Sequence, residues 1–235
     1  MGDSMSKNSV AIHNFSGGLR QCLSDMMYGI FKAALRAALP IFFRMRVVGR
    51  DHCPDEGGPL VVISNHLGEW DPPIMGSHLP WQVHWLAKVE LFELLGGWTA
   101  GFLRMLHCVP VDREKADTAA IKQCVRLARG RRPVLVFAEG GIRLDESSIL
   151  GSKPQLKEGA AIIAIAAGCP ILPVVLNGTR AAFQGRNWFL LRRPMIEIMI
   201  GPVFRVEGRD RERATAQMLA RLLELKVQLK QQAIC

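Results

Sequence analysis

The chain has 235 residues, 49% hydrophobic and 22% charged, which suits one large domain or a domain with a small appendage. A net charge of +9 points to an anionic partner, either an acidic membrane face or a phosphorylated substrate. Aromatics are scarce, no run interleaves them with basic residues, and no nucleic-acid-binding signature is present, which argues against nucleic acid.

No cleavable signal peptide stands at the N-terminus. Met1-Gly-Asp-Ser-Met-Ser6 fits the permissive myristoylation pattern. The first fifty residues carry seven Lys/Arg (7, 20, 32, 36, 44, 46, 50) against two Asp (3, 25), so +5 of the +9 lies here. Residues 21–39 are predicted to form a helix that Pro40 ends or kinks. Gln21, Asp25, Lys32 and Arg36 share a stripe roughly 60° wide, while Leu23, Met26, Met27, Ile30, Phe31, Leu35 and Leu39 fill most of the remainder. No uncharged run reaches the roughly 20 residues of a membrane span. Such a helix suits either a core with one edge in water or the plane of a membrane interface. The coincident charge excess favours the interface, at the cytoplasmic face of an anionic bilayer. Residues 1–53 therefore read as a basic, amphipathic membrane-associating segment, and 54–235 as a second unit.

That second unit is predicted to be an α/β fold, a mostly parallel sheet flanked by helices. Strands are expected at 60–64, 83–87, 108–111, 134–137, 171–176 and 195–200, and helices at about 90–105, 114–129, 158–168 and 209–232. Met218, Leu222, Leu225 and Leu229 mark the face on which the last helix docks on the core. Residues 144–155 read as a loop.

The most informative segment is His66-Leu-Gly-Glu-Trp-Asp71, at the end of the first buried strand. On a straight helix the imidazole and carboxylate would point roughly 140° apart. They meet only if the chain bends, which Gly68 is expected to allow, with Pro72-Pro73 then starting a helix. An Asp beside a His fixes its tautomer and stabilises the imidazolium, the minimum equipment of a general base. The competing reading makes Asp71 an N-cap and His66 structural. Glu139-Gly-Gly-Ile-Arg143 follows another buried strand. Gly140 and Gly141 would let the backbone bring N–H groups up to an anion, and Arg143 adds a planar cationic fork. The six cysteines are scattered without metal-ligand spacing and read as reduced thiols, and no cofactor or metal is indicated.

Taken in order, these pieces resemble the glycerolipid acyltransferase family typified by 1-acylglycerol-3-phosphate acyltransferases. Asn65-His66 with Asp71 resembles its His-x4-Asp block. Val109-Pro-Val-Asp-Arg113 resembles the block that ends in Asp-Arg, and Phe137-Ala-Glu-Gly-Gly-Ile-Arg143 the Phe-Pro-Glu-Gly-Thr-Arg block. Pro170-Ile-Leu-Pro-Val174, after Lys157-Glu-Gly-Ala-Ala161, resembles the proline-containing block, and Ala87-Lys88-Val-Glu-Leu91 a stretch found between the first two. Ala138 replaces the usual Pro, and Gly141-Ile142 stands where the family has one Thr, displacing Arg143 by one position.

The resemblance implies acyl transfer from a thioester of coenzyme A or acyl carrier protein to the free hydroxyl of lysophosphatidate, giving phosphatidate. His66 would be the general base, with Asp71 orienting it and no covalent intermediate, in line with the lack of a nucleophile-elbow Ser. Lys88, Arg113 and Arg143 would bind the acceptor's phosphate, and Glu139 would bond a glycerol hydroxyl or brace one of those cations. Other readings are a different acceptor (a lysophospholipid, glycerol 3-phosphate or an acylated amino-acid lipid), a non-catalytic lipid-binding protein, or a metal-dependent hydrolase built on His66, Asp71 and Glu139. A Cys-His acyl-enzyme would have Cys108 and Cys169 as its candidate nucleophiles.

Overall fold

The computed structural model describes residues 4–94, 98–112, 117–183 and 193–232, with side chains from residue 21 onward and at Gly18. Its centre is a seven-stranded sheet in the order β1-β7-β6-β2-β5-β3-β4. The strands are β1 (Arg44–Val48), β2 (Val61–Ser64), β3 (His84–Lys88), β4 (Cys108–Val111), β5 (Val134–Phe137), β6 (Ile171–Asn177) and β7 (Met195–Ile200). All neighbours run parallel except β6 and β7, so the expected mostly parallel α/β sheet is what forms. The central strands β2 and β5 are buried on both faces, as uninterrupted Val/Ile/Leu/Phe runs require.

Side chains alternate between two cores. Val62, Leu135, Leu172 and Trp85 face one, Val61, Ile63, Val134 and Val136 the other. The first core is closed by α1 (Ser4–Phe42), α2 (Asp71–His78) and α4 (Trp98–Met105); the second by α5 (Thr118–Arg129), α6 (Gly159–Ala167) and α8 (Arg211–Gln232). Met218, Leu222, Leu225 and Leu229 of α8 are buried there, as its sequence pattern predicts.

Four local differences from the sequence reading stand out. Pro40 does not end α1, the first of the two outcomes expected of it; the helix runs 39 residues through it to Phe42. The segment expected at 90–105 is two helices, α3 (Glu90–Glu93) and α4. A short α7 (Thr179–Phe183) follows β6. Strand β1 was not expected at all. Its alternating Arg44 and Arg46 look like surface charge, yet Met45 and Val47 pack on the first core while Arg46 reaches Glu197 at 3.4 Å across the β1–β7 pair. Edge strands commonly carry such charges, which discourage pairing with other chains.

Helix α1 is attached by its polar residues. Lys32 Nζ donates to the carbonyls of Leu79, Pro80 and Trp81 at 2.6, 3.0 and 2.9 Å, capping the C-terminal end of α2. Gln82 donates to the Asp25 carbonyl at 2.7 Å, and the Tyr28 hydroxyl, fully buried, accepts from Val83 N at 3.3 Å. With Gln21, Asp25 and Lys32 turned towards the core, Leu23, Met26, Met27 and Ile30 are left exposed, Ile30 at 57%. Trp98 and Phe102 of α4, the former 87% exposed, widen this apolar surface beside α1, with Phe31 and Phe102 in edge-to-face contact. Among the described residues no helix is long and apolar enough to cross a membrane.

Candidate active site

The loops that follow β2, β5 and β3 converge at the C-terminal edge of the sheet, where ligands of open α/β sheets bind. Asn65 ends β2 by mimicking a strand. Its Nδ2 donates to Leu176 O at 2.9 Å and its Oδ1 accepts from Leu176 N at 2.8 Å, so the side chain continues the β2–β6 ladder as the backbone turns away. The next residue is His66.

His66 Nδ1 lies 2.9 Å from Asp71 Oδ2. The same oxygen accepts from Leu67 N at 2.5 Å and Gly68 N at 2.9 Å. Three donors on Oδ2 offset part of the cost of burying Asp71, whose Oδ1 has no partner among the described residues, and close the loop between β2 and α2. They also require Nδ1 to carry a proton, leaving the lone pair on Nε2. Nε2 has no partner among the described residues. The imidazole stacks on Phe137, the last residue of β5, with ring centroids 4.1 Å apart and planes at 17°.

Two expectations about this loop are corrected. Asp71 is the first residue of α2 and Trp70 its N-cap, so the carboxylate bonds backward to the loop rather than capping the helix. The bend does fall at Gly68. Its φ lies outside the left-handed region, however, and a Cβ there would meet nothing within 4 Å, so the hydrogen bonds of Asp71, not glycine's freedom, set the shape.

Glu139 lies just beyond β5, 1% exposed. Its Oε2 accepts from His66 N at 2.8 Å; its Oε1 accepts from Ile149 N at 2.5 Å and Ser148 Oγ at 3.0 Å. Both oxygens are thus occupied by the chain itself, and the carboxylate joins the His66 backbone to the 144–155 loop. Burial raises its pKa, opposed by these bonds and by the nearby charge of Arg143. His66, Asp71 and Glu139 do not form a ligand set, because the Glu139 oxygens face N–H and O–H donors. Among the described residues no group of three or more His, Cys, Asp or Glu is placed to hold a metal ion.

Gly140, at φ +79°, needs to be glycine, because a Cβ would come within 2.8 Å of Lys157 Cγ. Its N–H is spent on Phe137 O at 3.0 Å, so it is not available to an anion. The extra residue in the Gly140–Ile142 stretch is absorbed by the turn. Arg143 N donates to His66 O at 3.1 Å, bringing Arg143 back beside His66, with its Nη1 3.2 Å from Ser147 Oγ. Lys88 is exposed at the C-terminal end of β3, two strands from β2 and therefore roughly 10 Å across the sheet. Arg113 lies outside the described residues.

On the second-core side, next to Phe137, a cavity of about 550 Å³ lies between α5 and α6. Leu86, Val111, Ile121, Val136, Ile162 and Ile163 form its apolar wall, with Gly140 and Lys157 among its other lining residues. Sequence reasoning did not assign a role to Asn65, Phe137 or Lys157, although all three stand inside quoted blocks. Cys108 and Cys169 are buried among apolar groups, which pushes their thiols up to about 12 and about 11; neither has the environment of an activated nucleophile.

Residues 44–177, more than half of the chain, match the family described as Acyltransferase. The 1-acyl-sn-glycerol-3-phosphate acyltransferase of Bacillus subtilis (strain 168) is 29% identical over 176 residues, covering 74% of this chain and 81% of that one. The chloroplastic 1-acyl-sn-glycerol-3-phosphate acyltransferase LPAT1 of Arabidopsis thaliana is 27% identical over 175 residues, which span only 47% of its length. The crystal structure of the 1-acyl-sn-glycerophosphate (LPA) acyltransferase PlsC from Thermotoga maritima shares the fold, with a TM-score of 0.63 at 21% identity over 90% of this chain and 89% of that one. The chain belongs to the Acyltransferase family and is an O-acyltransferase.

Proposed function

We propose that this enzyme moves a fatty acyl group from a thioester of coenzyme A or acyl carrier protein to the free hydroxyl of lysophosphatidate, giving phosphatidate. The observation that carries the reading is the buried His66–Asp71 pair at 2.9 Å, with Nε2 of the imidazole unpartnered at the C-terminal edge of the sheet. Nε2 takes the proton of the acceptor hydroxyl as its oxygen attacks the thioester carbon. The tetrahedral oxyanion then collapses, the carbon–sulfur bond breaks, and the imidazolium returns the proton to the thiolate. Asp71 holds the ring and offsets its transient charge. The thioester is already activated, so no enzyme nucleophile is required.

Arg143, joined to the His66 backbone, Lys88 and Arg113 are assigned to the acceptor's phosphate. Gly141 lines the same turn. Glu139 serves as a strut beneath His66. The largely apolar cavity beside Phe137, whose lining also includes Asp112, Asp117 and Glu158, is of a size that suits an acyl chain. The outward apolar face of α1, continued by Trp98 and Phe102, supports attachment to the anionic cytoplasmic face of a membrane, where the lipid acceptor resides.

The test is thiol release from palmitoyl-CoA in detergent, with and without lysophosphatidate, for wild type and His66→Ala. Release should need both the acceptor and His66, with a loss of about 10²–10⁴-fold on removing the base. Full activity in a folded His66→Ala protein would overturn the mechanism. Release that needs His66 but ignores lysophosphatidate would move the reading to another acceptor hydroxyl. For the membrane, replacing Leu23, Met26 and Ile30 together by Ser should abolish flotation with anionic vesicles, since each buried side chain contributes about 1.5–3 kcal/mol.

A further inference from the structure

At the opposite edge of the sheet, a cluster of buried polar rings takes no part in this chemistry. Tyr28 of α1, His107 just before β4 and His84 at the start of β3 stack in a column. Centroids are 4.8 Å apart for Tyr28–His107 and 4.5 Å for His107–His84, with planes at 16° and 9°. His84 is 8% exposed and His107 6%, yet neither Nδ1 has a hydrogen-bond partner. Nε2 of His107 lies 3.1 Å from Asp25 Oδ1, within ion-pair range but out of line for a hydrogen bond. Buried polar atoms left this way require an explanation, because nearly all such atoms are paired.

A cavity of about 290 Å³ opens beside the column, lined among others by His84, His107, Asp25, Gln82, Arg131 and Arg132. His107 (φ 61°) and Arg131 (φ 60°) are two of the three non-glycine residues in the left-handed region among the described residues, and both line this cavity. Side chains rarely tolerate that backbone region, and such outliers concentrate at ligand sites.

The lining chemistry selects the ligand. Guanidinium groups only donate, and a neutral imidazole supplies one donor. The Arg131 fork is shared with Glu56 at 3.2 Å, while Arg132 lies close enough to depress the pKa of both histidines. Asp25 is the one acid in the lining, and its Oδ1 accepts from Gln21 Nε2 at 2.7 Å. A metal cation would meet two arginines and no adequate ligand set among the described residues.

We propose that this cavity is an oxyanion site that receives a phosphate group at the joint between α1 and the catalytic core, separate from the site of the acceptor's phosphate. Its volume holds one tetrahedral oxyanion and several waters at about 30 Å³ each. Burial, first, and neighbouring positive charge hold His84 down to about 3 and His107 below its ordinary range. A bound anion favours the protonated form of both rings, so binding raises the pKa of each.

The experiment follows the ring ¹³Cε1 and ¹Hε1 resonances of the full-length chain, labelled at histidine, with His84→Asn and His107→Asn providing the assignments. Sodium phosphate is titrated against sodium chloride at constant ionic strength. In a parallel arm, phosphatidylcholine vesicles are compared with and without phosphatidate. Saturable shifts of His84 and His107 in phosphate but not chloride support the site with a soluble occupant. Shifts confined to phosphatidate vesicles support it with a lipid headgroup as occupant. Arg132→Gln, on a half-buried side chain, should weaken binding about tenfold or more, the loss expected for one charge-assisted hydrogen bond. Absence of selective shifts in both arms, or an unchanged midpoint in Arg132→Gln, overturns the proposal. Phosphate capture in the active-site cleft reads out at His66 instead, so this result stands or falls independently of the proposed reaction.

Discussion

Replacing Glu139 by Gln separates a strut from a substrate ligand. The native carboxylate accepts from His66 N through one oxygen and from Ile149 N and Ser148 Oγ through the other. Glutamine keeps one acceptor oxygen, so it satisfies one of the two sides, and its NH₂ then faces a buried N–H on the other. At least one charge-assisted bond is lost and one buried donor orphaned, costing about 2–4 kcal/mol. For a chain of this size each kcal/mol lowers Tm by about 2–4 °C, so the midpoint should fall by roughly 5–15 °C. Thermal melts in detergent, with steady-state kinetics at varied donor and acceptor, read both consequences. The expected pattern is a lower Tm and a lower kcat, because the His66 backbone and the 144–155 loop lose their common anchor, with the acceptor KM little changed. An unchanged Tm with a raised acceptor KM would refute the strut and make Glu139 a contact to the glycerol hydroxyl.

Asp71→Asn should leave the fold intact, since one amide oxygen can still accept from Leu67 and Gly68, but lower kcat by about 10³-fold or more through loss of the fixed tautomer and the offsetting charge; kcat within tenfold of wild type would remove Asp71 from the mechanism. Asn65→Ala strands Leu176 N–H and C=O in a fully buried position and should destabilise by about 2–5 kcal/mol, read by denaturant midpoint; a loss below 1 kcal/mol would show that the β2–β6 ladder closes without it. The folded-state pKa of His84 is depressed to about 3 against an ordinary 6.5, so the unfolded chain binds the proton first. Its contribution is present above pH 6.5 and lost as pH falls towards 3, by up to about 5 kcal/mol. His84→Asn should therefore flatten the decline of Tm between pH 6.5 and 4, and parallel curves for the two proteins would contradict the assignment.

How much of this was legible in the chain depends on what a side chain pattern can encode. β2, β5 and β6 were readable because strands buried on both faces are continuous apolar runs. β1 was not, because an edge strand with one neighbour tolerates Arg44 and Arg46 and so imitates a basic surface segment. The His66–Asp71 pair could be anticipated from its spacing, but the device that shapes its loop, three donors on one oxygen, depends on backbone N–H groups that no residue type announces. Glu139 reads in sequence as a turn carboxylate free to meet substrate. Only the fold reveals that the loop from Asp145 to Leu150 returns over it and takes one of its oxygens, Ser148 and Ile149 supplying the donors.

Helix α1 shows the same limit at larger scale, since periodicity marks a polar stripe without saying which face meets the protein. A helix that buries its apolar face gains hydrophobic energy from its own core. Here Lys32, Asp25 and Tyr28 find fixed partners in the core, and Leu23, Met26, Met27 and Ile30 of the apolar face are left exposed. Lys32 closes the carbonyl end of α2, and Asp71 opens the same helix eight residues earlier. The attachment of the outward-facing helix and the placement of the carboxylate beside His66 are therefore two ends of one short rigid element. On the proposed membrane attachment, a bilayer that takes up α1 would act on the helix that carries Asp71.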